Sequence, residues 1–288
     1  MNFNEIYDSY KKIIDNELEK ACQGLVNSEK NLISSMKYSL LVGGKRLRPV
    51  LILMVADFLG LEKEKVLPYA LAIEHIHTYS LIHDDLPCMD NDDFRRGKPT
   101  NHKVYGEDMA VLSGDGLLNR AFEILFDCAC DDLTLNASKF IANCSGYQGM
   151  VGGQAYDIKA GEYENSLTTL KEIHKNKTGK LILASVLVPS ILKRNEYYDN
   201  LEVYGENLGL LFQITDDLLD VSSTNSVLGK SVGKDLRDSK LTYVTLLGEE
   251  EAGKMALEVY NNALIAIKDL PNSELLVELL NFVLERKK

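Results

Sequence analysis

Apolar side chains recur at i, i+3, i+4 and i+7 through long stretches of the chain, at about 50 to 60, 66 to 86, 108 to 130, 136 to 152, 167 to 193, 198 to 221, 252 to 269 and 273 to 286. That period is the period of an α-helix, so each stretch predicts a helix with a stripe turned to a core. No sustained period-two run predicts a sheet. Six prolines and 20 glycines leave the stretches largely uninterrupted. Neither a Ser/Gly/Pro-rich linker nor a repeat of roughly 20 to 50 residues divides them. The pattern predicts an all-α fold in a single domain over residues 1–288, with helices apolar enough to be buried on much of their circumference.

Composition narrows what such a bundle does. A hydrophobic content of 45% supports a sizeable core. The opening MNFNEIYDSYKKIID has no basic segment followed by an apolar run, so no signal peptide is expected. The longest apolar stretch, LILASVLVPSIL from Leu181 to Leu192, contains Pro189 and falls short of the roughly 20 residues that cross a bilayer, so no membrane span is expected. The five cysteines, Cys22, Cys88, Cys128, Cys130 and Cys144, are odd in number and lack CxxC spacing. They point away from a disulfide framework or a zinc site and toward a reducing cytoplasm. A net charge of −11 leaves no cationic excess for a duplex, so nucleic acid is not an expected partner. The basic residues fall instead in short groups, Lys45 to Arg48, Arg95 to Lys103, Lys171 to Lys180 and Lys230 to Lys240. Each is a local phosphate site or a solvated face.

Charge is least evenly spread in HDDLPCMDNDDFRRGK, residues 83 to 98, where Asp84, Asp85, Asp90, Asp92 and Asp93 precede Arg95 and Arg96. Aspartates this close repel unless something positive lies among them. A metal ion would serve, and the arginines suggest that its other partner is an anion. The helix before them should end near Leu86, because Pro87 disfavours helical geometry in the residue before it. His77, Ser80 and Asp84 then share one face, and Asp90 returns from the turn.

A second cluster, FQITDDLLD, sets Asp216 and Asp220 one turn apart, with Asp217 adjacent and Gln213 one turn earlier. Acids among Phe212, Ile214, Leu218 and Leu219 are costly without a cation. Oxygen-only ligands suit Mg²⁺, which keeps several waters and commonly joins a few carboxylates to substrate phosphates. In GGKRLRP, Gly43 and Gly44 permit close backbone approach before a helix that Pro49 can begin, with Lys45, Arg46 and Arg48 supplying charge. HKNKTGK (His174 to Lys180) and GKSVGKDLRDSK (Gly229 to Lys240) carry further cations. A rival reading takes His83-Asp84 with His75 and His77 as the histidine-bound metal site of a phosphohydrolase, but the second acidic helix has no histidine. A non-catalytic helical subunit would be free to lose an acid cluster or its lysines, and this chain keeps them all.

Taken together, GGKRLRP, HTYSLIHDDLPCMDNDDFRRGKPTNH, KTGKL, FQITDDLLD and GKSVGKD…SKLTY resemble, in order from Gly43 to Tyr243, the trans-isoprenyl diphosphate synthases, most closely the bacterial farnesyl diphosphate synthases. The resemblance implies an all-α bundle around a deep central cavity, usually a homodimer. It implies that Asp84 and Asp90 ligate two Mg²⁺ and Asp216 a third, with Asp85, Asp217 and Asp220 holding waters or orienting ligands. Dimethylallyl or geranyl diphosphate would meet Arg95, Lys177, Lys230 and Lys240. Isopentenyl diphosphate would bind without metal at Gly44, Lys45, Arg48, His77 and Arg96. The Lys177 carbonyl, the Thr178 hydroxyl and the Gln213 amide oxygen would face an allylic cation. Tyr79 and Ser80 would form the floor of the chain pocket. An aromatic residue at Tyr79 goes with a C15 product, while one aromatic where some relatives carry two leaves geranylgeranyl diphosphate as the alternative. The resemblance leaves open whether the basic end, Arg286 to Lys288, closes over the site as tails can in relatives.

Overall fold

The computed structural model describes residues 2–226 and 241–286. In chain order its helices are α1 Phe3–Gln23, α2 Lys30–Leu41, α3 Leu47–Phe58, α4 Lys63–Asp84, α5 Asn101–Tyr105, α6 Glu107–Asp127, α7 Asp132–Ser145, α8 Met150–Ile158, α9 Leu167–His174, α10 Lys180–Lys193, α11 Tyr198–Ser226, α12 Tyr243–Leu247, α13 Glu249–Ile267 and α14 Glu274–Glu285. Two two-residue strands, β1 Phe94–Arg95 and β2 Lys98–Pro99, pair antiparallel. The all-α expectation holds. The helices α1 and α2 were not expected, and the stretch 136 to 152 resolves into two helices separated at Gly146 to Gly149. The helix foreseen at Pro49 begins two residues earlier, at Leu47.

The chain divides into two compact units. One holds α1 to α6, α7 as far as Ala142, and Ile191–Lys193; the other holds Asn143–Ser190 and the chain from Arg194 onward. The first is built on α3, where Val50 to Val55 are wholly buried. Each such side chain contributes about 1.5–3 kcal/mol, which makes α3 a firm base for the glycine loop before it. Helices α4 and α6 run against each other, and α4 also packs on α3. Asn2 starts α1 with a reciprocal cap to Glu5, and Tyr7, Tyr10, Ile14, Leu18 and Cys22 form its buried stripe.

In the second unit α11 packs along α13, and its Leu201, Tyr204, Leu208, Leu211 and Ile214 are fully buried. The Tyr204 hydroxyl donates to the Leu276 carbonyl at 3.0 Å and so ties α11 to α14. The helix expected over 167 to 193 is interrupted by a wide π-type turn, Lys175–Gly179. Such turns are rare and tend to occur at functional sites.

Candidate active site

Helix α4 ends at Asp84, and the chain curls back on itself. The Met89 N–H donates to the Leu86 carbonyl, Asn91 reaches the same carbonyl, and Asp92 bonds to that of Asp85. The Asp90 N–H donates to the Asp84 carbonyl at 2.9 Å, so the turn brings together the two aspartates expected to hold metal. Their oxygens are hard donors. Among the described residues no three metal-binding side chains gather into one group, and Asp84 and Asp90 offer two carboxylates. That fits Mg²⁺, which takes one or two carboxylates and completes its shell with water and substrate phosphate. Asp85 plays another part. It is buried, and Arg95 Nε and Nη2 bond both of its oxygens at 2.6 to 2.9 Å. Burial pushes its carboxyl up and the Arg95 guanidinium draws it back down.

The RRGK segment is a hairpin whose central residues, Arg96 and Gly97, both have positive φ, at 54° and 75°. This is the two-residue turn that matches strand twist. Arg95 ends β1 and Arg96 begins the turn, and the two arginines go to different partners. Arg95 goes to Asp85, while Arg96 donates to the Gly43 carbonyl and lays its guanidinium where a Gly44 side chain would be. Gly44, at φ 127°, therefore has two reasons to lack a Cβ. Thr100 and Asn101 fasten the hairpin behind: the Thr100 hydroxyl donates to the Asp92 carbonyl, and Asn101 bonds Ser35 and Ser39 of α2. Burial first, then Arg48, Arg96, Arg95 and Arg46, holds the His77 ring well below the usual histidine range. Burial and the neighbouring guanidinium charges thus favour the neutral His77 ring. Lys45, next to Gly44 in sequence, stands exposed.

Arg46 turns the other way. In the left-handed conformation, φ 53°, it drives its guanidinium into the unit to meet Glu74 at 2.5 Å, Asp15 at 2.9 Å and the Leu40 carbonyl at 2.8 Å. It holds the loop in shape from inside the unit.

Two of the three histidines of the rival metal reading have other partners. His75 is buried with Nδ1 2.7 Å from the Leu71 carbonyl, and burial lowers its pKa to about 4. His83 turns toward α6, with Nε2 3.0 Å from the Val111 carbonyl and its ring filling the space over Gly114. Tyr79 is buried edge-on to His83, with centroids 5.7 Å apart. The Ser80 hydroxyl donates to the His77 carbonyl.

In the second unit the wide turn carries Lys177 and the buried Thr178. A side chain on Gly153 of α8 would overlap the Lys177 backbone, and a Cβ on Gly209 of α11 would lie 3.0 Å from the Gly179 Cα. Gln213 and Asp216 follow Gly209 by one and two turns, so they lie along the face of α11 that meets the turn. Lys177 Nζ pairs with Asp157 of α8 at 2.5 Å. Asp216 Oδ1 receives Arg286 at 2.5 Å; that guanidinium also bonds Thr215 and the Phe212 carbonyl and lies 4.0 Å over the Phe212 ring. Arg286, the first residue of the basic end, is therefore seated on α11 beside an expected metal ligand. Asp217 Oδ2 accepts the Tyr243 N–H at 2.7 Å at the start of α12. Lys230, Lys240, Lys287 and Lys288 lie outside the described residues. Asp157 and Glu74 had no place in the sequence reading, since neither sits in a cluster or beside a cation in sequence.

The sequence matches the polyprenyl synthetase family over residues 29–273. It is 41% identical over 265 residues to farnesyl diphosphate synthase of Micrococcus luteus, covering 91% of each chain. It is 45% identical over 267 residues to chloroplastic geranylgeranyl pyrophosphate synthase of Capsicum annuum, covering 90% of this chain and 72% of that one. The fold superposes on the crystal structure of geranyltransferase from Legionella pneumophila with a TM-score of 0.88 at 32% identity, covering 99% and 97% of the two chains.

Proposed function

The chain belongs to the polyprenyl synthetase family and is a prenyltransferase that elongates trans-prenyl chains, and from that premise we propose that it joins isopentenyl diphosphate to dimethylallyl and then geranyl diphosphate to give farnesyl diphosphate. The observation that carries this reading is the pairing along α4 of an acidic turn with a cationic nest. Asp84 and Asp90 gather at the end of the helix, and His77 lies among Arg48, Arg95 and Arg96 about two turns earlier. One anion there requires metal and the other requires none.

Asp84, Asp90 and Asp216 would hold three Mg²⁺, which when bound neutralise the allylic diphosphate and make it a good leaving group. Arg95, Lys177, Lys230 and Lys240 steady the same diphosphate. Gly44, Lys45, Arg48, His77 and Arg96 bind isopentenyl diphosphate through fixed charge, so its own C–O bond stays intact. As the allylic bond breaks, the Lys177 carbonyl, the Thr178 hydroxyl and the Gln213 amide oxygen face the delocalised cation. The double bond of isopentenyl diphosphate attacks, and the proton then lost passes to the released diphosphate, so no side-chain base is needed. Apolar walls keep water from the cation. We propose a cytoplasmic homodimer in which both units serve one catalytic domain. No described helix is long and apolar enough to cross a membrane.

The pepper relative, a geranylgeranyl synthase by name, supports a C20 product as the second reading. One assay decides: purified protein with dimethylallyl diphosphate, labelled isopentenyl diphosphate and Mg²⁺, followed by phosphatase and identification of the prenyl alcohol. Label remaining wholly in isopentenyl diphosphate overturns the reading, and geranylgeraniol as the main alcohol replaces C15 by C20.

Tyr79 supplies the finer test. It lies about 7.5 Å along the axis before Asp84 and about 140° around from it, whereas Ser80 is only about 40° away. Burial, and then Asp84, raises its hydroxyl to about 12, so it stays protonated and acts as bulk. Wild type is expected to make chiefly C15, and Tyr79→Ala to shift product to C20 or longer with Mg²⁺ dependence intact. An active mutant that still stops at C15 would place the floor elsewhere.

A further inference from the structure

Asp157 lies in no motif that the sequence marks out, yet it makes the ion pair on the residue whose carbonyl is assigned to the cation. On α8, Gly153 and Asp157 are one turn apart and share a face. Gly153 gives that face no side chain, so the Lys177 backbone lies directly against the helix. One turn on, the Asp157 carboxylate takes the Lys177 ammonium at 2.5 Å, with the two side chains only 20% and 23% exposed. From the other side Gly209 backs Gly179, and the His174 ring that precedes the turn lies 5.3 Å from that of Tyr243. The wide turn is thus flanked by bare backbone on two helices. Asp157 is the side chain that bonds into it from α8.

We propose that Asp157 is a positioning residue for chain elongation: by holding the Lys177 ammonium it fixes the Lys175–Gly179 turn so that the Lys177 carbonyl and the Thr178 hydroxyl keep their aim at the allylic cation. The inference rests on the reading above, in which those two oxygens face that cation. A π-type turn is an irregularity that its own hydrogen bonds do not favour over a regular helix, so its shape has to be imposed from outside. An ammonium has three N–H donors. One bond to Asp157 leaves others for the diphosphate, and the same residue can then hold the leaving group while its backbone faces the carbon left behind.

The test uses the full chain with Mg²⁺, geranyl diphosphate and labelled isopentenyl diphosphate, and compares Asp157→Asn, Lys177→Met and the double variant. Asp157→Asn is expected to lower kcat about 10- to 100-fold, the effect of losing a charged hydrogen-bond partner, with KM for isopentenyl diphosphate within about twofold. The share of geranyl diphosphate captured by water as geraniol, relative to farnesyl product, should rise several-fold, because a misaimed cation lives longer unquenched by its partner. A purely structural role would not move that ratio. In the Lys177→Met background the same change should cost less than about threefold, since the two residues act as one unit. Asp157→Glu keeps the charge and should recover part of kcat. Full additivity of the two changes, or an Asp157→Asn enzyme with wild-type kcat and partition, overturns the inference. Should Asp157→Asn fail to fold, the geraniol share of Asp157→Ser decides, and a wild-type value there counts against the proposal. A wild-type protein that forms no condensation product sinks the parent reading, whereas an active Asp157→Asn beside a crippled Lys177→Met sinks this inference alone.

Discussion

Asp84→Ala is expected to lower kcat by roughly 30- to several-thousand-fold at saturating Mg²⁺, the range for removing one partner of a desolvated charge pair when the loss is felt in the transition state. Its melting temperature should stay within about 3 °C of wild type. The fold survives because the bond that closes the acidic turn runs from the Asp90 N–H to the Asp84 backbone carbonyl, which alanine keeps. Single-turnover kinetics and a thermal melt check both halves, and near-normal turnover would remove Asp84 from the metal site. Asp216→Ala should behave differently. It loses activity and also strands Arg286, a guanidinium only 3% exposed that meets the Asp216 carboxylate at 2.5 Å, so its melt should fall along with its rate.

Glu74→Ala is expected to be the most damaging change to stability in the first unit. The Arg46 and Glu74 side chains are each 1% exposed and bonded at 2.5 Å. Removing one partner of a buried pair typically costs about 3–5 kcal/mol because the other charge is left without compensation. At about 2–4 °C per kcal/mol for a domain of this size, the melting temperature should drop by roughly 6–20 °C. Arg46 is also the left-handed residue that shapes the glycine loop, so KM for isopentenyl diphosphate should rise with it. Glu74→Gln keeps a hydrogen bond and should fall between. A Glu74→Ala melt within about 2 °C of wild type would show that Asp15 and the Leu40 carbonyl suffice for Arg46.

The acidic clusters were legible because adjacent like charges beside apolar residues have few physical excuses, and RRG because a cation pair next to them implies an anion. The long helices were legible for the same kind of reason: α4, α6, α11, α13 and α14 each carry an unbroken apolar period. Helix α1 was not, since its stripe starts with Tyr7 and Tyr10, whose rings bury only because their hydroxyls find distant partners, the Lys45 carbonyl and Asp57. The hairpin has two residues per strand, too few for any period to show. Which member of Lys45, Arg46 and Arg48 turns inward was beyond the sequence, because Glu74, 28 residues away, decides it. Asp157 is set against Lys177 by the same kind of distant pairing, 20 residues apart. Nor does the sequence announce the wide turn at Lys175–Gly179. No apolar residue lies between Ile173 and Leu181 to mark its phase, and the room it needs comes from Gly153 and Gly209 on other helices.

That turn is where the chain absorbs one residue beyond what a regular helical turn would use, and α10 leaves it with Leu181 to Ser190 buried on every side. Deleting a single residue between 175 and 179 would let an ordinary helix run through with α10 still in phase, because the wide turn spends its extra residue on the same full turn. The same deletion inside α10 would move the residues beyond it by about 1.5 Å and about 100°, and their core contacts would change phase together. The turn therefore tolerates a change of count that the buried helix after it does not.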